Sequence, residues 1–361
     1  MKIGIACGGT GGHIFPGLAT AEVLRARGHE VTLWLSGREI EKKALINWSG
    51  PMIAAPAMGL PSRPGLRYFS MFAVNCRAFL RCRRQMRLSP PDVFLAMGGY
   101  ASAAPALAAV SRSIPLVLHE ANVIPGRANR FLSRWAKILA LGFKETRNHI
   151  RHPNMVYTGM PLRGRSAGGK TADWKLLQPE IFTVLVMGGS RGARRLNEVA
   201  AQAFRKLQEA GKTVQVIHLT GVEDEDTIRE TYRERGIVHL VFSFLHAIEQ
   251  AYCRAVFVIC RAGASTCAEL SRYGTPALLV PYPYAAANHQ FANARAHAEN
   301  GAADVIAEKD LTADWLSAYI GALMNDRGKL ERMRRAALQH ASPDAADALA
   351  DWVLKTGEEK K

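Results

Sequence analysis

The sequence predicts an α/β protein of two Rossmann-like units, each a doubly wound parallel sheet, facing each other across a cleft. The first observation behind this is a repeated grammar. An apolar run, Ile3 to Cys7, leads into Gly8-Gly9-Thr10-Gly11-Gly12-His13 and a helix-like run; in the second half Phe182 to Met187 leads into Gly188-Gly189-Ser190-Arg191-Gly192 and another. The second is the alternation of short apolar runs with amphipathic ones along the rest of the chain. The third is size, since 361 residues at 48% hydrophobic suffice for two domains with separate cores. Glycines after a strand let the backbone turn sharply and expose its N–H groups, and the next helix adds the positive end of its dipole. Each unit is therefore suited to an anionic group, and the cleft to a ligand carrying phosphates.

In chain order, the first loop precedes a helix that begins near Pro16, runs to Ala26 and stops at Gly28, followed by a strand to Leu35. Neither standard phosphate motif fits. From Gly9 and Gly11 the third fingerprint position is Ile14, and Ser36-Gly37 ends the second strand without an acidic residue for a ribose. Gly12 to Gly17 has a P-loop interval, but Leu18-Ala19 replaces Lys and Ser/Thr. Asp92 to Met97 is a buried strand delivering Gly98-Gly99-Tyr100-Ala101-Ser102, a second small-residue turn and anion nest. Pro115 to Leu118 is a short strand with His119, Glu120 and Asn122 at its carboxyl end, where open α/β sheets place ligands; a plain hydrogen-bonded strand end is the alternative.

The first domain is expected to span 1–163, with a Gly/Ser/Arg/Lys-rich linker at 164–179, a second domain at 180–341 and a C-terminal helix and tail at 342–361. In the second half, strands are expected at Thr213 to Leu219, Val238 to Phe242, Ala255 to Cys260 and Pro276 to Val280. Ala255 to Cys260 delivers Arg261-Ala262-Gly263-Ala264-Ser265-Thr266 at a helix start, suited to a diphosphate, with Glu269 in the first helical turn able to hold two vicinal hydroxyls. Glu269 complementing the helix dipole is the bland reading, which leaves the small-residue loop unexplained.

The six cysteines form no C-x-x-C pair, so neither a zinc site nor a disulfide framework is expected, and no HExxH or GxSxG occurs. No secretory leader is recognisable, and the longest apolar tract, Ala96 to Val110, is too short to span a bilayer. The net charge of +16 falls almost wholly in residues 1–164, with 22 Lys and Arg against 7 Asp and Glu. A single basic half points to an anionic surface or partner rather than to nucleic acid. Between Arg63 and Arg87, Phe69, Met71, Phe72, Phe79 and Leu80 interleave with Arg77, Arg81, Arg83, Arg84 and Arg87. That mixture suits an interfacial membrane helix, with a solvated basic face over the core as the alternative.

Gly8 to His13 with Pro16-Gly17, Gly98-Gly99-Tyr100, His119-Glu120 with Asn122, Gly188 to Gly192 with Asn197, Arg261 to Glu269, and His289-Gln290 with Asn293 occur in one order and spacing. Over essentially its whole length the chain resembles the family 28 peptidoglycan glycosyltransferases, which add N-acetylglucosamine to undecaprenyl-diphosphoryl-N-acetylmuramoyl-pentapeptide. The resemblance implies a GT-B fold, UDP-N-acetylglucosamine held mainly by the C-terminal domain, and inverting transfer without metal or cofactor. It also implies conversion of lipid I to lipid II at the cytoplasmic face of the inner membrane, as a peripheral protein with further partners in cell-wall synthesis or division.

Carried over by position, Ser190 and Ala264-Ser265-Thr266 would meet the donor diphosphate, Glu269 the ribose and the backbone near Leu245 the uracil. Arg163 would approach the donor from the domain junction, and Gln290, Asn122 and Thr10-Gly11-Gly12 would surround the sugar. Gly98, Gly99, Tyr100, His119 and the Gly11-Gly12 pair would serve the acceptor. Arg191, where Gln is usual, and Ala287, where Asp often stands, depart from the family pattern. For the acceptor hydroxyl's proton, His13 is the first choice of base, having an unperturbed pKa of about 6.5, and Glu120 is the competitor. The rival readings are a related UDP-sugar transferase or epimerase with another acceptor, and a catalytically silent UDP-sugar-binding scaffold.

Overall fold

Every strand pairing among the described residues is parallel, as crossover helices between strands require. The structure is a computed structural model. It describes the chain apart from residues 39, 40, 42, 43, 47, 60–65, 164–172, 190, 191, 300, 360 and 361 and the side chains of residues 66–69. Two units emerge, one of residues 1–163 with 342–361 and one of residues 164–341.

The first unit holds β1 (Lys2–Ala6), β2 (Glu30–Leu35), β3 (Met52–Ala54), β4 (Val93–Ala96), β5 (Leu116–Glu120), β6 (Ile138–Leu141) and β7 (Met155–Tyr157), in the order β3-β2-β1-β4-β5-β6-β7. The second holds β8 (Phe182–Met187), β9 (Val214–Leu219), β10 (Val238–Phe242), β11 (Phe257–Cys260), β12 (Ala277–Leu279) and β13 (Ala303–Val305), in the order β10-β9-β8-β11-β12-β13. Strand order reverses between β1 and β4 in one sheet and between β8 and β11 in the other. At such a reversal the loops leaving two neighbouring strands diverge to opposite faces and open a crevice at their carboxyl ends. Both glycine-rich loops of the first unit leave that crevice, as do Gly188-Gly189 and Arg261-Ala262-Gly263 in the second.

Central strands are covered on both faces. Ile3, Ile5, Leu95 and Val117 are buried with Leu18 and Leu24 in one core of the first unit, and Val184, Val186 and Ile259 with Leu196 and Phe204 in the core of the second. The first helix, Gly11–Ala26, starts well before Pro16, correcting the expected boundary. Gly11, Gly12 and His13 are thus its first turn rather than a loop before it. The expected strand Pro115 to Leu118 likewise runs two residues further and carries His119 and Glu120 in its pairing with β6. The C-terminal helix, Ala345–Glu358, returns to the first unit, where Leu349, Ala350 and Val353 join the core of Ile3, Ile5 and Leu18. Arg27 pins it through Asp347 at 2.6 Å and Asp351 at 2.5 Å.

Candidate active site

At the first switch point the two glycine loops come together. Gly9, Gly98 and Gly99 have φ of +107°, +92° and +74°, open to glycine at no steric cost. A Cβ on Gly99 would lie 3.1 Å from Cε1 of His13, so the bare backbone of the second loop is what admits the imidazole. His13 Nδ1 is 2.9 Å from Thr10 Oγ1. Tyr100 sits beside Gly9 with its hydroxyl buried and without a partner among the described residues, and Arg38 lies over its ring at 5.2 Å. Thr10, Gly11, Gly12, His13, Gly98, Gly99 and Tyr100 therefore share one locale. Arg163 is also in this unit, 3.7 Å from Glu22 and over the Phe15 ring at 5.5 Å.

His119 and Glu120 are placed differently from the expectation. The His119 side chain is fully enclosed, its Nε2 3.1 Å from the Gly159 carbonyl, and burial pushes its pKa down to about 4. With its ring fully enclosed, His119 presents no surface to a ligand, unlike the expectation, and instead holds the turn at Gly159. Glu120 is 3% exposed and both carboxylate oxygens are engaged. Oε1 accepts from the Asn122 amide N–H at 2.9 Å and from Nδ2 at 3.3 Å; Oε2 accepts from the Gly126 N–H at 3.0 Å and Asn129 Nδ2 at 2.8 Å. Burial raises its pKa, and these hydrogen bonds oppose the rise. Asn122 is drawn into this network, and its carbonyl accepts from Thr146 Oγ1 at 3.0 Å.

One carboxylate in this region was invisible to motif reading. Glu41, 2% exposed, accepts from the Gly9 N–H at 2.8 Å, from Ser36 N at 3.1 Å and Oγ at 2.5 Å, and from the Gly37 and Arg38 N–H groups at 2.6 and 3.0 Å. The signal was the carboxylate half of a capping-box spacing: a Glu three residues after Arg38, reaching back to its N–H.

At the second switch point Ala264, Ser265 and Thr266 form the first turn of the helix Ala264–Tyr273, and Ser265 Oγ is buried without a partner among the described residues. Asn293 Nδ2 donates to the Ala262 carbonyl at 3.2 Å and fixes the loop before that turn. Tyr252 donates to Glu269 at 2.9 Å, and burial raises the Glu269 pKa to about 7 against that hydrogen bond. Gln290 Oε1 accepts from the Tyr282 N–H at 2.9 Å, just beyond the left-handed pair Ala287 and Asn288. Leu245 is buried past the end of β10. Ser190, and with it Arg191, lies outside the described residues. Asn197 is a scaffold residue, donating to the Thr220 carbonyl and Asp224 at 2.9 and 2.8 Å and meeting His218 Nε2 at 3.1 Å. Behind the loop Ala262-Gly263, Arg261 pairs with Glu308 and donates to the Val280 carbonyl at 3.2 Å.

The first unit also carries the basic surface. On the helix Leu66–Leu88, Ala78, Cys82 and Met86 face the core at helical spacing, while Arg77, Arg81, Arg83, Arg84 and Arg87 share the exposed side with Phe72, Leu80 and Leu88 at 68%, 61% and 68% exposure. Separately, Arg130, Arg134, Arg147 and Arg151 line a cleft of about 480 Å³. Among the described residues no helix is long and apolar enough to cross a membrane, and no group of three or more His, Cys, Asp or Glu is placed to hold a metal ion.

A glycine-rich switch point on each of two parallel sheets is a plan that nucleotide-sugar glycosyltransferases use. The glycosyltransferase family 28 N-terminal domain matches residues 3–140 and the family 28 C-terminal domain residues 183–349, and the chain belongs to this family. It is 38% identical over 352 residues, 97% of each chain, to the UDP-N-acetylglucosamine--N-acetylmuramyl-(pentapeptide) pyrophosphoryl-undecaprenol N-acetylglucosamine transferase of Syntrophotalea carbinolica. To the protein of the same name from Anaeromyxobacter it is 37% identical over 375 residues, covering 100% of this chain and 97% of that one. The crystal structure of MurG from Acinetobacter baumannii superposes with a TM-score of 0.77 at 28% identity, covering 98% of this chain and 100% of that one. A UDP-GlcNAc 2-epimerase from Neisseria meningitidis, 12% identical with a TM-score of 0.68 and covering 98% and 100%, shares the fold.

Proposed function

We propose that this chain transfers N-acetylglucosamine from UDP-N-acetylglucosamine to undecaprenyl-diphosphoryl-N-acetylmuramoyl-pentapeptide with inversion, making lipid II from lipid I. The observation that carries this is the full-length match to transferases of that name, with an anion-receiving loop pair at each switch point. UDP release measured with and without a lipid-linked acceptor tests it. Release that requires the acceptor and yields the β-1,4-linked disaccharide is expected; a 2-epimer product, or none at all, would favour the epimerase or scaffold readings.

The second unit holds the donor in this reading. The N-terminus of the helix Ala264–Tyr273 and the Ser265 hydroxyl meet the diphosphate, Glu269 the ribose, the backbone near Leu245 the uracil and Gln290 the sugar. The first unit takes the acceptor at Gly11-Gly12 and Gly98-Gly99, with Tyr100 alongside. The acceptor hydroxyl attacks the anomeric carbon opposite UDP, losing its proton to His13 while the bond to UDP breaks. This role requires the His13 tautomer that donates from Nδ1 to Thr10, so that Nε2 is the ring's acceptor. Arg163 and the helix N-termini supply positive potential to departing UDP. Glu120, with both oxygens occupied, shapes the loop from Asn122 to Gly126.

Glu269 gives this assignment a pH signature. A carboxylate accepts from two ribose hydroxyls more strongly than its protonated form, so donor KM falls as pH rises through about 7. Glu269→Gln raises donor KM about ten- to a hundredfold and flattens that dependence. Steady-state donor titrations from pH 6 to 8 decide it, and an unchanged KM in the variant takes Glu269 out of the site.

The basic, partly apolar face of Leu66–Leu88 and the arginine-lined cleft support peripheral attachment to an anionic membrane surface, the cytoplasmic face of the inner membrane. Replacing Arg77, Arg81 and Arg84 together by Gln is expected to weaken binding to anionic vesicles at about 0.1 M salt and to spare transfer to a short-chain soluble acceptor. Equal losses in the two assays would mean that the helix serves the acceptor site instead.

A further inference from the structure

We infer that Glu41 is a positioning residue for the transfer, a carboxylate latch that fixes the first glycine loop and selects which of its amides face the acceptor. The inference rests on the reading that the first unit receives the acceptor. Glu41 is 2% exposed and accepts from two segments at once, from Gly9 at the end of β1 and from Ser36, Gly37 and Arg38 at the end of β2. β1 and β2 are paired neighbours, so one side chain ties together the carboxyl-terminal exits of both strands. The loop is built around it: a Cβ on Gly8 would fall 2.8 Å from Glu41 Oε1 and 2.6 Å from the Ser36 nitrogen.

The arrangement has a directional effect. A glycine loop before a helix offers N–H groups along its length, and an anion settles wherever they converge unopposed. Here the Gly9 N–H is already given to an internal carboxylate, whose charge also repels a second anion from the Gly8-Gly9 side. A phosphoryl group is therefore directed onward to the first helical turn at Gly11 and Gly12, beside His13 and Gly99. Thr10, whose hydroxyl orients the His13 ring, directly follows the latched residue. Loss of the latch thus disturbs acceptor placement and the base together and leaves the donor loop of the other unit untouched.

The test compares Glu41→Gln, Glu41→Asp and Ser36→Ala in the full-length chain by amide hydrogen exchange and by separate donor and acceptor titrations. Glu41→Gln is expected to speed exchange at Gly9, Gly37 and Arg38 and to lower kcat/KM for the acceptor by about ten- to a hundredfold, with donor KM within about twofold of the parent. Glu41→Asp keeps the charge but is one methylene too short to span both segments, and it should fall between; should Glu41→Gln fail to fold, Glu41→Asp carries the test. Ser36→Ala removes one donor of five and should stay within about threefold. Unchanged exchange at these amides, or faster exchange with parental acceptor kinetics, overturns the positioning role. So does a loss shared equally by donor and acceptor with exchange raised throughout the unit. Faster exchange confined to these amides, in a parent protein that makes no disaccharide, would instead strike at the proposed function and leave the latch standing.

Discussion

Replacing His13 by Ala is expected to lower kcat by about 10²–10⁴ with donor KM nearly unchanged, and to abolish the acidic limb of the kcat profile at saturating donor. The expectation follows from position: His13 stands in the first turn of the helix Gly11–Ala26, its ring against Gly99 and oriented by Thr10. A group that meets only the attacking hydroxyl leaves donor affinity alone. Burst and steady-state rates between pH 5 and 9 provide the check. If kcat survives and acceptor KM rises, His13 binds the acceptor and another group accepts the proton.

Glu120→Ala is expected to lower the stability of the first unit by roughly 3–5 kcal/mol, because four N–H donors lose their acceptor and each buried unsatisfied donor costs about 1–3 kcal/mol, partly relieved by water. Denaturant unfolding followed through Trp135, near the Asn122-to-Gly126 loop in sequence, reads this. Glu120→Gln should lose less stability and retain the parental pH profile. Unimpaired stability with abolished turnover would return Glu120 to the chemistry and displace His13.

Residue type alone put His13 ahead of Glu120, on intrinsic pKa, since both otherwise follow recognisable patterns at strand ends. What separates them in the structure is the hydrogen-bond partners of the carboxylate, which come from residues two to nine positions downstream through a turn whose path no periodicity predicts. Central strands were legible because burial on both faces forces continuous apolar runs, so β8 matches its expected limits; β10, at the edge of its sheet and only partly buried, matches too because its run is apolar at Val238, Leu240, Val241 and Phe242. β3, β7 and β13 span three residues each and carry little of that signal. β6 is as apolar as any strand, but no glycine-rich turn follows it to mark its end. The glycines that marked the first loop also concealed the helix start, since Gly11 and Gly12 are poor helix formers held there by the loop itself. Glu41 was hard to see because its partners are mostly main-chain amides, and its spacing from Arg38 is the one trace they leave in the sequence.

The return of Ala345–Glu358 to the first unit makes residues 164–341 an insertion within that unit rather than a domain appended to it. A Cβ on Gly357 would fall 2.1 Å from Cε of Met1, so the opening strand and the closing helix are spatial neighbours. During synthesis the first sheet must wait, with Ile3, Ile5 and Leu18 lacking their cover, until the inserted unit has emerged and Leu349 and Val353 arrive. The unit that is translated first is therefore the one completed last. A truncated chain ending before residue 345 and released from the ribosome should carry a folded second unit while its amino-terminal sheet still exposes apolar surface to chaperones.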